Sequence, residues 1–204
     1  MVVSDGMTRP SATGRSAYGA APMKAGIGRG LRTVVILGAG LDTRAYRIPD
    51  LAETAVFEVD LPTVQAFKKE RLRRRLGELQ AHVQFVSIEF NAHRLDANLA
   101  GGGLGPEEPA IFVWEGVSRY LPPTAVDAVL HTIAARPLGS ELVFTYVLEE
   151  VVIGRFRAGR SEAFRRSASR RPWLFGVEPS RLGAFLGKRG LMVSEIERVA
   201  RAGV

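Results

Sequence analysis

The 204-residue chain contains no cysteine, so neither a disulfide framework nor a thiolate metal site is available to it. No apolar run approaches the roughly 20 residues of a membrane span, and the first residues lack the apolar core of a secretory signal. A cytoplasmic setting is the default expectation. Histidine is scarce: His82, His93 and His131 stand apart without metal-ligand spacing, and each reads as structural, so no metal site is expected. Neither a phosphate-binding P-loop nor a Ser-His-Asp order is visible, and no segment repeats. Acid is also short of base, 21 against 28 residues, for a formal charge of +7 and a pI near 10.3. Such an excess can draw a protein to nucleic acid, but it says nothing about fold.

What is present is an ordinary globular composition, 46% hydrophobic and 24% charged, in a length that suits one domain with a full core. Residues 1 to 30 are rich in Gly, Ala, Ser and Pro with little periodicity, and read as a poorly ordered segment with a short helix near Ala17 to Ala25. The remainder, 31 to 204, reads as one domain. Val34-Val35-Ile36-Leu37 run without alternation into Gly38-Ala39-Gly40, the mark of a strand buried on both faces and closed by a tight turn. Ala55 to Asp60, Val83 to Phe90, Ala110 to Glu115, Glu141 to Leu148 and Leu191 to Val199 read as further strands.

Helical segments alternate with them: Leu41 to Tyr46, Pro62 to about Gln80, Pro122 to Ala135, Val151 to Arg171 and Glu178 to Arg189. In the second of these, Val64, Phe67, Leu72, Leu76 and Leu79 can share a buried face, which leaves Lys68, Lys69, Arg71, Arg73, Arg74 and Arg75 to solvent. The alternation argues for an α/β fold of right-handed βαβ units on a mostly parallel sheet, with ligands bound beyond the carboxyl ends of the strands.

Four places should meet at that crevice. The glycine turn lets backbone approach a ligand. A dinucleotide site would want a small residue where Thr43 stands, and Asp42 is awkward beside a pyrophosphate but tolerable beside an ammonium group. That tilts the reading from NAD towards S-adenosyl-L-methionine, which is zwitterionic at its amino-acid end and cationic at sulfur. Asp60 ends its strand some twenty positions past the glycines, where a carboxylate can take both ribose hydroxyls, or simply cap the next helix. Glu89 can accept from the adenine amino group while the Phe90 ring or backbone covers the base; an ordinary acid at a strand end is the rival reading. Glu115 can pair with the ligand ammonium or orient an acceptor; a surface glutamate is the rival reading. Tyr120 is a candidate wall of the substrate pocket or a hydrogen-bond donor there, with ordinary packing of its ring as the rival reading.

Three blocks in this order, Val35 to Arg47, Phe57 to Pro62, and Phe112 to Val117 with Tyr120-Leu121, resemble the leucine carboxyl methyltransferase type of S-adenosyl-L-methionine-dependent methyltransferase, in its bacterial branch. The resemblance covers about residues 25 to 150. It implies a Rossmann-like, class I methyltransferase three-layer sandwich. It also implies cofactor contacts at Gly38, Ala39, Gly40, Asp60, Glu89, Phe90 and Glu115, a small-molecule or carboxylate-bearing acceptor, and methylation of oxygen. The chain departs from the family in carrying Glu89 in place of aspartate. It also has little length before the first strand, where the family places an arginine for the cofactor carboxylate and where only Arg15 offers a remnant. After Val199 little is left for the antiparallel strand that completes the family's sheet, and an unfinished edge would invite pairing with a second copy. In family terms the segment from Arg155 to Arg171 stands where a lid over the acceptor pocket would be.

The rivals are a Rossmann reductase, a shortened inactive relative, and a basic nucleic-acid-binding module using the helix after Asp60 and the Arg155 to Arg171 segment. The last lacks interleaved aromatics or a recognised motif, so nucleic acid is not the expected partner.

Overall fold

The computed structural model describes residues 2–5, 20–153 and 173–198. Seven strands form one sheet: β1 (Val2–Asp5), β2 (Thr33–Leu37), β3 (Ala55–Asp60), β4 (Val83–Ser87), β5 (Ile111–Trp114), β6 (Glu141–Tyr146) and β7 (Glu195–Arg198), in the order β4-β3-β2-β5-β6-β1-β7. Every pairing among them is parallel. The run of β2 is buried throughout, as expected for a central strand covered on both sides. From β2 the chain steps outward to β3 and β4, then returns to β5 on the other flank, which makes the β2/β5 boundary the point where strand order reverses.

Helices cover both faces. On one lie α1 (Ala20–Gly28), α2 (Arg44–Arg47) and α3 (Pro62–Leu76); on the other lie α4 (Leu95–Gly101), α5 (Pro123–Ala134) and, near the end, α7 (Leu182–Gly187), while α6 (Glu149–Val152) follows β6. Pro62 opens α3, where its missing N–H costs nothing, and Gly77 stops it with a left-handed φ of 83°. The helix therefore ends short of the expected Gln80. In α5 the residues Val126, Val129, Leu130 and Ile133 are buried at helical spacing, as the periodicity requires.

Three expectations are corrected. Residues 1 to 30 hold the expected short helix, as α1, and also β1, which lies between β6 and β7, so the place expected to want an antiparallel strand is filled by a parallel one from the amino-terminal segment. On α3 the buried residues are Gln65 and Lys68, while Phe67 is 53% exposed and Leu76 is exposed too. The helix is rotated towards a charge: Lys68 Nζ lies 2.7 Å from a carboxylate oxygen of Glu58, in the middle of β3. The side of the helix turned inward thus carries this ion pair and Gln65, with Val64 and Leu72 half-buried beside them. The expected helix from Glu178 to Arg189 is a 3₁₀ turn, Pro179–Arg181, leading into the shorter α7. Arg15 and the expected lid from Arg155 to Arg171 lie outside the described residues. Among the described residues no helix is long and apolar enough to cross a membrane.

Candidate functional site

The turn after β2 is shaped by two glycines. Gly38 has φ 71° and Gly40 φ 45°, a region that favours residues without Cβ. At Gly38 a Cβ would also lie 2.2 Å from a methyl of Val117, so this glycine is required by the β5 loop packed against it. The amides of Gly38 and Ala39 both donate to the Val59 carbonyl, at 2.8 and 3.0 Å, which ties the turn to the end of β3.

Asp60 completes that tie. One oxygen of its carboxylate accepts from the Gly40 N–H at 2.6 Å and the other from the Leu61 N–H at 2.7 Å. It is thus brought to the turn, twenty residues away in sequence, as a backbone anchor. A carboxylate has about four acceptor positions, so two bonds leave capacity for a ligand hydroxyl.

Beside the turn lies a hollow of about 300 Å³, at the β2/β5 switch point. Ile36 and Leu37 at the end of β2, the segment from Gly38 to Arg44, and Val113 with Glu115 line it. Gly38, Ala39, Gly40 and Glu115 therefore share one cavity, with Asp60 bonded to its rim. The loop after Glu115 is tied to β6: Gly116 has φ 72° and its N–H donates to Thr145 Oγ1 at 2.7 Å, while Ser118 Oγ donates to the Thr145 carbonyl at 3.0 Å.

Glu89 and Phe90 lie elsewhere. Glu89 is exposed just past β4, where its N–H donates to His93 Nδ1 at 3.0 Å. Phe90 lines a second hollow of about 230 Å³ with His93, Leu95 and Val129. Tyr120 sits in the 3₁₀ turn Ser118–Tyr120, and the Arg119 guanidinium lies 5.8 Å from its ring centre.

The sequence reading did not single out Arg44, which the structure sets at the centre of the site. Its side chain is 3% exposed, and it meets Asp42 through Nε at 2.7 Å and a terminal nitrogen at 2.5 Å, and Glu115 through the other terminal nitrogen at 2.6 Å. Burial disfavours its charge, but Glu115 and Asp42 outweigh that and hold its pKa above the ordinary arginine value. Asp42, read as facing the ligand, is turned to Arg44, and also accepts from the Arg44 N–H at 2.8 Å. The available signal was local: an aspartate two residues before an arginine, at the start of a short helix, forms an Asx turn.

Behind the turn is a second buried polar group. Glu58 is wholly buried, and its carboxyl is pushed up to about 7, by burial first, against the opposing pull of Lys68. The Tyr46 phenol is raised as well, by burial and then by Glu58. Gln65 donates to the carbonyls of Glu58 and Val86, at 2.7 and 2.8 Å, and accepts from Ser87 Oγ at 2.8 Å, locking the ends of β3 and β4 together.

Strand order, covering helices and a hollow at the switch point define a Rossmann-like α/β chain of the class I methyltransferase architecture. Solved structures agree on the fold: an O-methyltransferase family protein from Burkholderia thailandensis superposes with a TM-score of 0.57 at 16% identity, over 88% of this chain and 52% of that one. Mitomycin 7-O-methyltransferase gives 0.56 at 20% identity, over 81% and 44%. In sequence, residues 4–134 match leucine carboxyl methyltransferase, and the chain belongs to that family. A provisionally named S-adenosyl-L-methionine-dependent methyltransferase of Mycobacterium sp. (strain JLS) is 33% identical over 84% of this chain and 58% of its own length. One of Mycolicibacterium vanbaalenii is 37% identical over 68% and 45%. The chain thus spans about half the length of the curated relatives it matches.

Proposed function

We propose that the chain binds S-adenosyl-L-methionine at the hollow beside Gly38 and transfers its methyl group to a carboxylate or hydroxyl oxygen of an acceptor. The observation that carries this reading is the convergence of the Gly38–Gly40 turn, Asp60 and Glu115 at the switch point, in a chain of this family. The residues suit such a ligand. Glu115 offers a carboxylate for the ammonium, Asp60 retains acceptor capacity for ribose hydroxyls, and Leu41, Val113 and Ile36 supply apolar wall. Glu89 and Phe90, at the next strand tip and outside that hollow, are the residues we assign to an adenine reaching past its rim, and Tyr120 we assign to the acceptor side.

When bound, the cofactor supplies an activated methyl on a sulfonium, open to in-line displacement. The protein's part is then to orient the acceptor oxygen and exclude water. A carboxylate acceptor is already deprotonated, so it asks for no general base. The relatives' names support methyl transfer, and the O-methyltransferase neighbours share only the fold.

Isothermal titration with S-adenosylhomocysteine tests this. Micromolar binding by the wild type, abolished in Asp60→Ala while the chain stays folded by circular dichroism, is the expected result. Tight binding of NADH with no affinity for S-adenosylhomocysteine would assign the hollow to a dinucleotide instead.

A further inference from the structure

We infer that Arg44 is a positioning residue that holds Glu115 for the ammonium end of the ligand, and so makes the site select adenosyl compounds that carry an amino-acid tail. The inference rests on the reading above and extends it to a residue that nothing else assigns.

The geometry is a three-part brace across the switch point. Arg44 opens α2, just past the turn after β2, and Glu115 follows β5, 71 positions later. Asp42 holds one edge of the guanidinium on a single oxygen, Oδ2, which lies 2.7 Å from Nε and 2.5 Å from a terminal nitrogen, while its Oδ1 accepts from the Arg44 backbone N–H at 2.8 Å. With that edge committed, the remaining terminal nitrogen lies 2.6 Å from a carboxylate oxygen of Glu115, an ion-pair contact without hydrogen-bond alignment. A planar guanidinium can bond two carboxylates at a fixed angle, whereas the single ammonium of a lysine cannot fix both. Asp42 therefore serves the arginine, and the arginine serves Glu115, which lines the hollow.

This alters the electrostatic argument drawn from sequence. Asp42 was the charge that told against a pyrophosphate; engaged by Arg44, it no longer faces a ligand as a bare anion. The discrimination passes to Glu115, whose orientation depends on the arginine. Holding a carboxylate in one place before the ligand arrives removes an ordering cost that binding would otherwise bear.

The test compares two ligands of the same nucleoside. S-adenosylhomocysteine carries the amino-acid tail; 5′-methylthioadenosine keeps the adenosine and sulfur and lacks it. In titration calorimetry, Arg44→Lys should weaken S-adenosylhomocysteine by roughly tenfold or more while changing 5′-methylthioadenosine less than about twofold. In a Glu115→Gln background the same Arg44→Lys change should have almost no further effect on S-adenosylhomocysteine, because the residue it positions has lost its charge. Arg44→Met, which removes the charge, should show the same selectivity where it folds, and Arg44→Lys carries the test where it does not. Equal weakening of both ligands would make Arg44 a merely structural support and overturn the inference while leaving the cofactor reading intact. So would unchanged affinity for S-adenosylhomocysteine. If the wild type binds neither compound, the cofactor reading fails, and this inference with it.

Discussion

The two faces of the sheet are built on different principles. Beneath α4, α5 and α7 lies the larger apolar cluster: Phe112, Trp114 and Phe144 belong to it with Val126, Leu130 and Leu186, and the Trp114 and Phe144 rings lie 5.3 Å apart. Beneath α1, α2 and α3 the apolar cluster is smaller, and Glu58, Lys68, Gln65 and Arg44 are buried beside it. The first face tolerates any arrangement that fills volume, within limits set by side-chain shape. On the second, each polar group must meet a particular partner, since an unpartnered charge there is expensive. The demanding face is also the one that carries the glycine turn and Asp60. Specified contacts fix a loop in a way that interchangeable methyl groups cannot, and a binding turn needs to be fixed.

Breaking the buried pair should give the largest effect. Lys68→Met leaves Glu58 as a wholly buried carboxyl without its cation, and should cost about 3–5 kcal/mol in urea unfolding at pH 8. Leu130→Ala on the apolar face should cost a similar amount, about 2–5 kcal/mol. The faces then separate on repair. Adding Glu58→Gln to Lys68→Met should return much of the loss, because the orphaned charge is gone, whereas no partner substitution removes the cavity left at Leu130. If the double variant is no more stable than Lys68→Met, the pair is not what the lysine serves.

A second difference lies in pH. Glu58 has a folded pKa of about 7 against an ordinary value of 4.5, with burial the main cause. A carboxyl raised in the folded state contributes stability in full below the unfolded value, and that contribution is lost as pH rises from about 4.5 through about 7. Urea midpoints for the wild type should therefore carry a falling component between pH 5 and pH 8 that is absent from the Glu58→Gln/Lys68→Met double variant. Identical pH slopes in the two proteins would assign the titration to other groups.

The same division decides what could be read in the sequence. Val34 to Leu37 and Ile111 to Trp114 were legible because central parallel strands are covered on both sides and must be apolar at every position. The glycine turn and Glu115 followed from them, since a strand's carboxyl end is where such sheets open. Asp60 was found by spacing, yet spacing gives nearness and not orientation, and its bond to the Gly40 amide had no linear signal. β1 was illegible for a related reason: two valines followed by Ser and Asp have no pattern of their own, and their place depends on partners at 143 to 146 and 195 to 198. Lys68 and Arg44 were missed because charge in a sequence reads as solvent exposure, and only a partner brought by the fold reverses that reading.

The smallest expected effect tests the rotation of α3 that follows from that reversal. If apolar residues set the rotation, Phe67 would be an anchor, and replacing it by a small polar residue would remove a buried ring at a cost of several kcal/mol. In the structure Phe67 is 53% exposed, with the Arg71 guanidinium 5.4 Å from its ring centre, a contact in water. Phe67→Ser should therefore move stability by no more than about 0.5 kcal/mol in either direction, as for other surface substitutions. The neighbouring Lys68→Met, one residue along the same helix, is the control that makes a null result informative. A large loss at Phe67 together with a small one at Lys68 would mean that α3 docks through its aromatic residue after all, with the Glu58 carboxyl matched by something other than the lysine.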